Sequence, residues 1–86
     1  MSGGRMSAGQ MLSAARTDAG MSLDDLAHAT KLRASILAAM EGDDFSHCGG
    51  TVYARGQLRA IAPVVGLDPD DLIEAFERDL GRTAAD

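Results

Sequence analysis

The residues of this chain best equipped for chemistry are His47 and Cys48, adjacent in the run Gly-Asp-Asp-Phe-Ser-His-Cys-Gly-Gly from Gly42 to Gly50, with His28 upstream. Zinc takes four ligands at recurrent spacings, and no second Cys or His pair exists to complete such a set. Cys48 is the single cysteine, so it cannot form an internal disulfide, and no base with an orienting acid accompanies it for nucleophilic attack. Gly49 and Gly50 precede a helix but lack the Gly-x-x-x-x-Gly-Lys-Ser/Thr or Gly-x-Gly-x-x-Gly arrangement that cradles phosphates, and read as hinge residues. The expectation is a protein with no catalytic residues, no metal and no cofactor, which acts by binding.

Two segments offer binding chemistry. Arg55 and Arg59, four residues apart, form the one basic strip of a chain with eight basic and thirteen acidic residues and a net charge of -5. Tyr53, on the same helix, suits either an interface anchor or a ring packed on the core with its hydroxyl in water. The second segment runs from Lys31 through Arg33, Ala34, Ser35 and Ala38, where a DNA-reading helix would present donors to base edges and phosphates. Alanines give methyl contacts but little base discrimination, and Glu41, Asp43 and Asp44 nearby would repel a phosphate backbone.

Five helices must position these groups. Ser7 is an N-cap for a first helix over 8–19, with Ala8, Leu12, Ala15 and Ala19 at helical spacing and Gly20 as its stop. Ser22 followed by Asp24 and Asp25 marks a second, short helix over 23–29, since a hydroxyl cap and first-turn carboxylates complement the helix dipole. A tight turn at Thr30-Lys31-Leu32 leads to a third helix over 33–41, carrying Ile36, Leu37 and Met40 and closing at Gly42. Two brief helices joined this tightly have the layout of a helix-turn-helix. Phe45 is the one apolar residue able to anchor the following loop. A fourth helix from Thr51 turns Val52, Leu58, Ile61, Ala62 and Val65 inward, and Pro63 is expected to kink or end it because its ring opposes the carbonyl of Arg59. Asp68-Pro69 then starts a fifth helix with a buried stripe of Leu72, Ile73, Phe76 and Leu80.

The composition fits this plan. Eighty-six residues make one domain, and a 45% hydrophobic content with two Phe, one Tyr and no Trp implies a core of Ala, Leu, Ile, Val and Met suited to close helix packing. Residues 1–6 read as a flexible leader, 7–80 as the domain and 81–86 as a fraying tail. No signal peptide and no apolar run of about 18 residues is present, so a cytoplasmic location is expected. Charge is segregated: residues 68–79 hold six acids and one Arg, beside a fourth helix of net +2.

From Gly9 to Leu80, about five-sixths of the chain, the sequence resembles the RodZ-like helix-turn-helix family, relatives of the Xre and phage-repressor domains. The matching residues are Gly9-Gln10-Met11-Leu12 with Ala15-Arg16, Gly20-Met21-Ser22-Leu23 with Leu26-Ala27, and Thr30-Lys31-Leu32-Arg33 with Leu37, Met40-Glu41-Gly42-Asp43 and Phe45. Val52-Tyr53-Ala54-Arg55-Gly56, Leu58-Arg59, Ala62 and Gly66-Leu67-Asp68 complete them, and this second half favours RodZ over a generic DNA binder. The resemblance implies an all-α, lambda-repressor-like five-helix bundle. It further implies the cytoplasmic part of a membrane-anchored bacterial cell-shape or cell-envelope assembly protein, docking on a cytoskeletal or morphogenetic partner such as the actin-like filament protein MreB. Partner-binding positions carried over are Tyr53, Gln57, Arg59 and Ala60 on the exposed part of the fourth helix, with Phe45 and Ser46 in the preceding loop. Family members usually carry aromatics where this chain has Gln57 and Ile61. Arg16 and Glu41 fall where related domains place a structural ion pair. The alternative is an Xre-type transcriptional regulator reading DNA through Lys31, Arg33, Ala34, Ser35 and Ala38.

Overall fold

The computed structural model describes residues 5–84, with side chains through Leu80 and Gly81. Among these the chain forms five helices and no strand: α1 (Ala8–Asp18), α2 (Leu23–Thr30), α3 (Ala34–Glu41), α4 (Thr51–Val64) and α5 (Pro69–Ala84). The fold is the all-α helix-turn-helix bundle. Residues 1–4 of the expected leader, and the last two of the expected tail, lie outside the described residues. The α5 backbone continues helically to Ala84, past the Leu80 at which the sequence led us to end the domain.

Local chemistry sets most of the boundaries. Ser7 and Gln10 form a reciprocal capping box on α1, the Gln10 N–H donating to Ser7 Oγ at 3.1 Å and the Ser7 N–H to Gln10 Oε1 at 2.9 Å. Ser22 and Asp25 repeat the device on α2, at 3.0 and 2.9 Å. Lys31 closes α2 in the left-handed conformation, φ 65°, so a residue with a side chain takes the place where glycine is cheapest. Arg33 is the N-cap of α3 rather than its first helical residue. α4 ends at Val64, one residue beyond Pro63, and the Leu67 N–H closes the turn on the Ala62 carbonyl at 2.8 Å.

The core is built from Leu12, Leu26, Leu37, Met40, Leu58, Ile61 and Leu72, all essentially removed from water, and among the described residues no polar or charged residue is buried with them. α4 packs on α5 and α2, α1 on α3 and α5, and α2 on α3, so α4 forms one wall of the core.

Two apolar assignments need correction. Val52 is 74% exposed and faces outward, because Ala54, two residues on, takes the inward position on the first turn of α4. Leu80 is 36% exposed, unlike Leu72, Ile73 and Phe76 on the same stripe, and lines an open groove beside the α3–α4 loop.

Candidate functional site

The first turns of α4 leave a glycine pair with positive φ, 94° at Gly49 and 123° at Gly50, and no side chain caps the helix. Successive residues are then rotated by about 100°. Ala54, Leu58, Ile61 and Ala62 therefore face the core, while Tyr53, Gly56, Ala60 and Val64 recur along the outer face with Val52 and Pro63 at its edge. Tyr53 is 66% exposed and its ring lies along the Gly49 backbone, so close that a Cβ at Gly49 would stand 3.7 Å from Tyr53 Cδ2.

Neither arginine of the basic strip sits in this stripe. Arg55 Nε donates to Glu77 Oε2 at 2.6 Å, and Arg59 Nη1 lies 3.9 Å from Asp70 Oδ1, so both cations turn toward α5. The second contact is loose and solvated, and Arg59 keeps most of its freedom. The outer face of α4 is left uncharged and largely apolar, an arrangement suited to contact with another macromolecule.

The six partner-binding positions carried over from the resemblance do not form one surface. Tyr53 and Ala60 are exposed on the outer face, with Arg59 beside them. Gln57 is a correction: it is half-buried, and its Nε2 donates to the Cys48 carbonyl at 3.3 Å, tying the α3–α4 loop to α4 while Oε1 is sealed from solvent without a hydrogen-bond partner. Phe45 packs edge-on against Phe76 of α5, ring centroids 4.8 Å apart. It lines, with Ser46, a groove between the loop and α5 that includes neither Tyr53 nor Ala60. No sequence signal separated these two surfaces, because the separation depends on how α5 lies against the loop.

His47 and Cys48 also part company. His47 is exposed, with Nε2 at 3.4 Å from Asp44 Oδ2. Cys48 is buried, and that burial, reinforced by the Asp44 charge, pushes its thiol pKa up, away from the reactive thiolate. The Ser46 hydroxyl and N–H donate to Asp44 Oδ1 at 2.6 and 3.0 Å and, with lesser help from His47, hold the Asp44 carboxyl below its ordinary range.

On the helix-turn-helix face, Lys31, Arg33, Ser35 and Ala38 are exposed and Ala34 is half-buried. All three acids expected to repel phosphates there make contacts within the fold, Asp44 through Ser46 and His47. Glu41 receives Arg16 Nε at 2.7 Å and Nη2 at 3.1 Å, while Arg16 Nη1 reaches the Met21 carbonyl at 2.8 Å. Asp43, at φ 65°, accepts from the Ser7 hydroxyl at 2.7 Å and the Gly9 N–H at 2.9 Å, so it caps α1 from across the fold.

Residues 11–72 match the helix-turn-helix domain family. The chain belongs to that family. It is 39% identical over 66 residues to the uncharacterized membrane protein YmfM of Bacillus subtilis, covering 77% of this chain and 23% of that protein. It is 36% identical over 69 residues to the cytoskeleton protein RodZ of Streptococcus pneumoniae, covering 80% of this chain and 25% of that one. The solved structure of YmfM from Staphylococcus aureus, described as a candidate DNA-binding membrane protein, superposes with a TM-score of 0.76 at 29% identity, over 85% of this chain and 89% of that one. This helix-turn-helix domain thus spans about a quarter of the length of the curated relatives it matches. Among its described residues no helix is long and apolar enough to cross a membrane.

Proposed function

We propose that this domain is the cytoplasmic interaction module of a RodZ-like cell-shape protein and docks a protein partner, an actin-like filament of the MreB kind, through the outer face of α4. The observation that carries this reading is the uncharged stripe of Tyr53, Gly56, Ala60 and Val64, edged by Val52, on a helix whose opposite side forms a wall of the core. A large aromatic held on a rigid helix is the kind of residue that dominates interface energy, and Gly56 and Ala60 let a partner backbone approach closely. A relative of 36% identity carries the name of a cytoskeleton protein, which supports the class of partner. The domain contributes recognition; catalysis has no part in the proposal.

The test is co-pelleting with polymerised MreB from the same organism. Tyr53→Ala and Arg59→Glu should each raise the Kd about ten-fold, a loss of about 1.4 kcal/mol, with the thermal melt unchanged. Unaltered binding, or loss of fold in both variants, overturns the assignment.

A second reading, DNA recognition through α3, is favoured by the pairing of Glu41 with Arg16, which removes one of the three opposing charges and leaves Lys31, Arg33 and Ser35 facing solvent. Fluorescence titration against genomic fragments separates the two: sequence-selective affinity that falls steeply with salt belongs to the DNA reading.

A further inference from the structure

Among the described residues, α1, α2 and α5 each begin with a side chain that accepts from a first-turn N–H: Ser7, Ser22 and Asp68, the last receiving the Asp70 N–H at 2.8 Å. α3 lacks such a cap, yet its N-cap Arg33 keeps ordinary extended angles, φ −70° and ψ 141°. α4 departs on both counts. Its N-cap, Gly50, has no side chain to offer and stands at φ 123° and ψ 165°, a region that essentially only glycine enters, with Gly49 before it at φ 94°. A serine or aspartate with ordinary angles would have supplied a cap, and glycine loses more backbone freedom on folding than any other residue. The start of α4 therefore gives up local stability.

What lies over the glycine pair is Tyr53. A Cβ at Gly49 would stand 3.7 Å from Tyr53 Cδ2 and 3.9 Å from Cγ, and one at Gly50 4.0 Å from Cδ2, so the near edge of the ring rests on backbone bare of side chains. That backbone is held at both ends. The Cys48 carbonyl accepts from Gln57 Nε2 at 3.3 Å, and the Gly50 carbonyl accepts the Ala54 N–H at 2.9 Å. Cys48 itself is buried, so the two glycines bridge anchored neighbours instead of acting as the hinge their sequence suggests. We infer that Gly49 and Gly50 are positioning residues for docking: they form a rigid backbone shelf that sets the pose of the exposed Tyr53 ring before a partner arrives. This role rests on the reading that the outer face of α4 docks a protein partner. A ring already ordered in the free domain loses less freedom on binding, which tightens the complex.

Cys48 makes the test accessible, because a peptide beginning at that cysteine can be ligated to a thioester of residues 1–47, giving the full 86-residue chain with L- or D-alanine at position 50. D-alanine accepts the positive φ that strains its mirror image. Tyr53 is the single tyrosine and there is no Trp, so the emission anisotropy of the free chain reports the fast motion of this ring alone. Gly50→Ala should lower that anisotropy and raise the Kd for polymerised MreB about ten-fold, the usual size of such a strain. D-alanine at the same position should leave both as in the parent. The same L and D pair at position 49 repeats the comparison if Gly50→Ala does not fold. Equal ring motion and Kd for L- and D-alanine, or a loosened ring with an unchanged Kd, would overturn the positioning role and leave the docking reading standing. A parent chain that does not bind the filament overturns the docking reading itself, and this role with it.

Discussion

Arg16 of α1 grips Glu41, the last residue of α3, through two hydrogen bonds of 2.7 and 3.1 Å, and the two side chains are only 18% and 12% exposed. The geometry is a bidentate fork, and the third donor holds the Met21 carbonyl just before α2, so one guanidinium joins α1, α3 and the α1–α2 turn. Arg16→Ala would leave the Glu41 carboxylate half-desolvated and unpaired. We expect a loss of about 1–3 kcal/mol in urea unfolding, and Arg16→Lys should restore little of it because an ammonium cannot reproduce the fork.

Gly9 and Gly56 should respond in opposite directions to the same substitution. A Cβ on Gly9 would stand 2.5 Å from the Met40 carbonyl oxygen and 2.7 Å from that of Glu41, both backbone atoms, whereas a Cβ on Gly56 meets nothing within 4 Å. Gly9→Ala is expected to lower stability by about 1–3 kcal/mol through overpacking and to loosen the Asp43 cap. Gly56→Ala, mid-helix and open to solvent, should raise it by about 0.5–1 kcal/mol. Thermal denaturation of the two variants beside the parent checks both signs.

The Asp25 carboxyl is held below its ordinary value of 3.8, first by the Ser22 backbone N–H and then by the Ser22 hydroxyl. A carboxyl whose folded pKa is depressed adds stability that is complete above the unfolded value and disappears as the pH falls through the folded one. Asp25→Ala should therefore be less stable than the parent at pH 6, with the gap closing below about pH 3.8. Chemical denaturation from pH 6 to pH 2 follows the gap; a constant difference would show that the capping hydrogen bonds survive protonation.

Cys48 should be inert in the folded domain. Burial and the Asp44 charge both disfavour its thiolate. Reaction with a disulfide reagent at pH 8 is expected to be slow in buffer and fast in denaturant, and Gln57→Ala, which releases the loop carbonyl beside it, should accelerate the native reaction.

Much of the bundle was legible because its signals are local. A serine with an acid or amide three residues on, a left-handed glycine at Gly20 and the spacing of Leu58, Ile61 and Ala62 act within one or two turns of helix. What was missed depends on where one helix runs past another. Periodicity assigns a face to Val52 and Leu80 but cannot say that no neighbouring element covers them there. Gln57 looked like a surface residue by position, and only the path of the loop brings the Cys48 carbonyl to its amide. Asp43, counted only as a charge that would repel phosphates, is exposed but also accepts from Ser7 and Gly9, 34 to 36 residues earlier, a contact set by the tertiary path of the chain.

The two faces of α4 also have a mechanical meaning. Leu58, Ile61 and Ala62 are wholly withdrawn from solvent on the inner side, within about two and a half turns of Tyr53 and alongside Ala60 on the outer. A pull exerted at the outer side is therefore delivered straight into the hydrophobic centre, spread over α2 and α5, and resisted by packing instead of by a flexible loop. A domain with that geometry would behave as a stiff coupling, passing tension onward with little give.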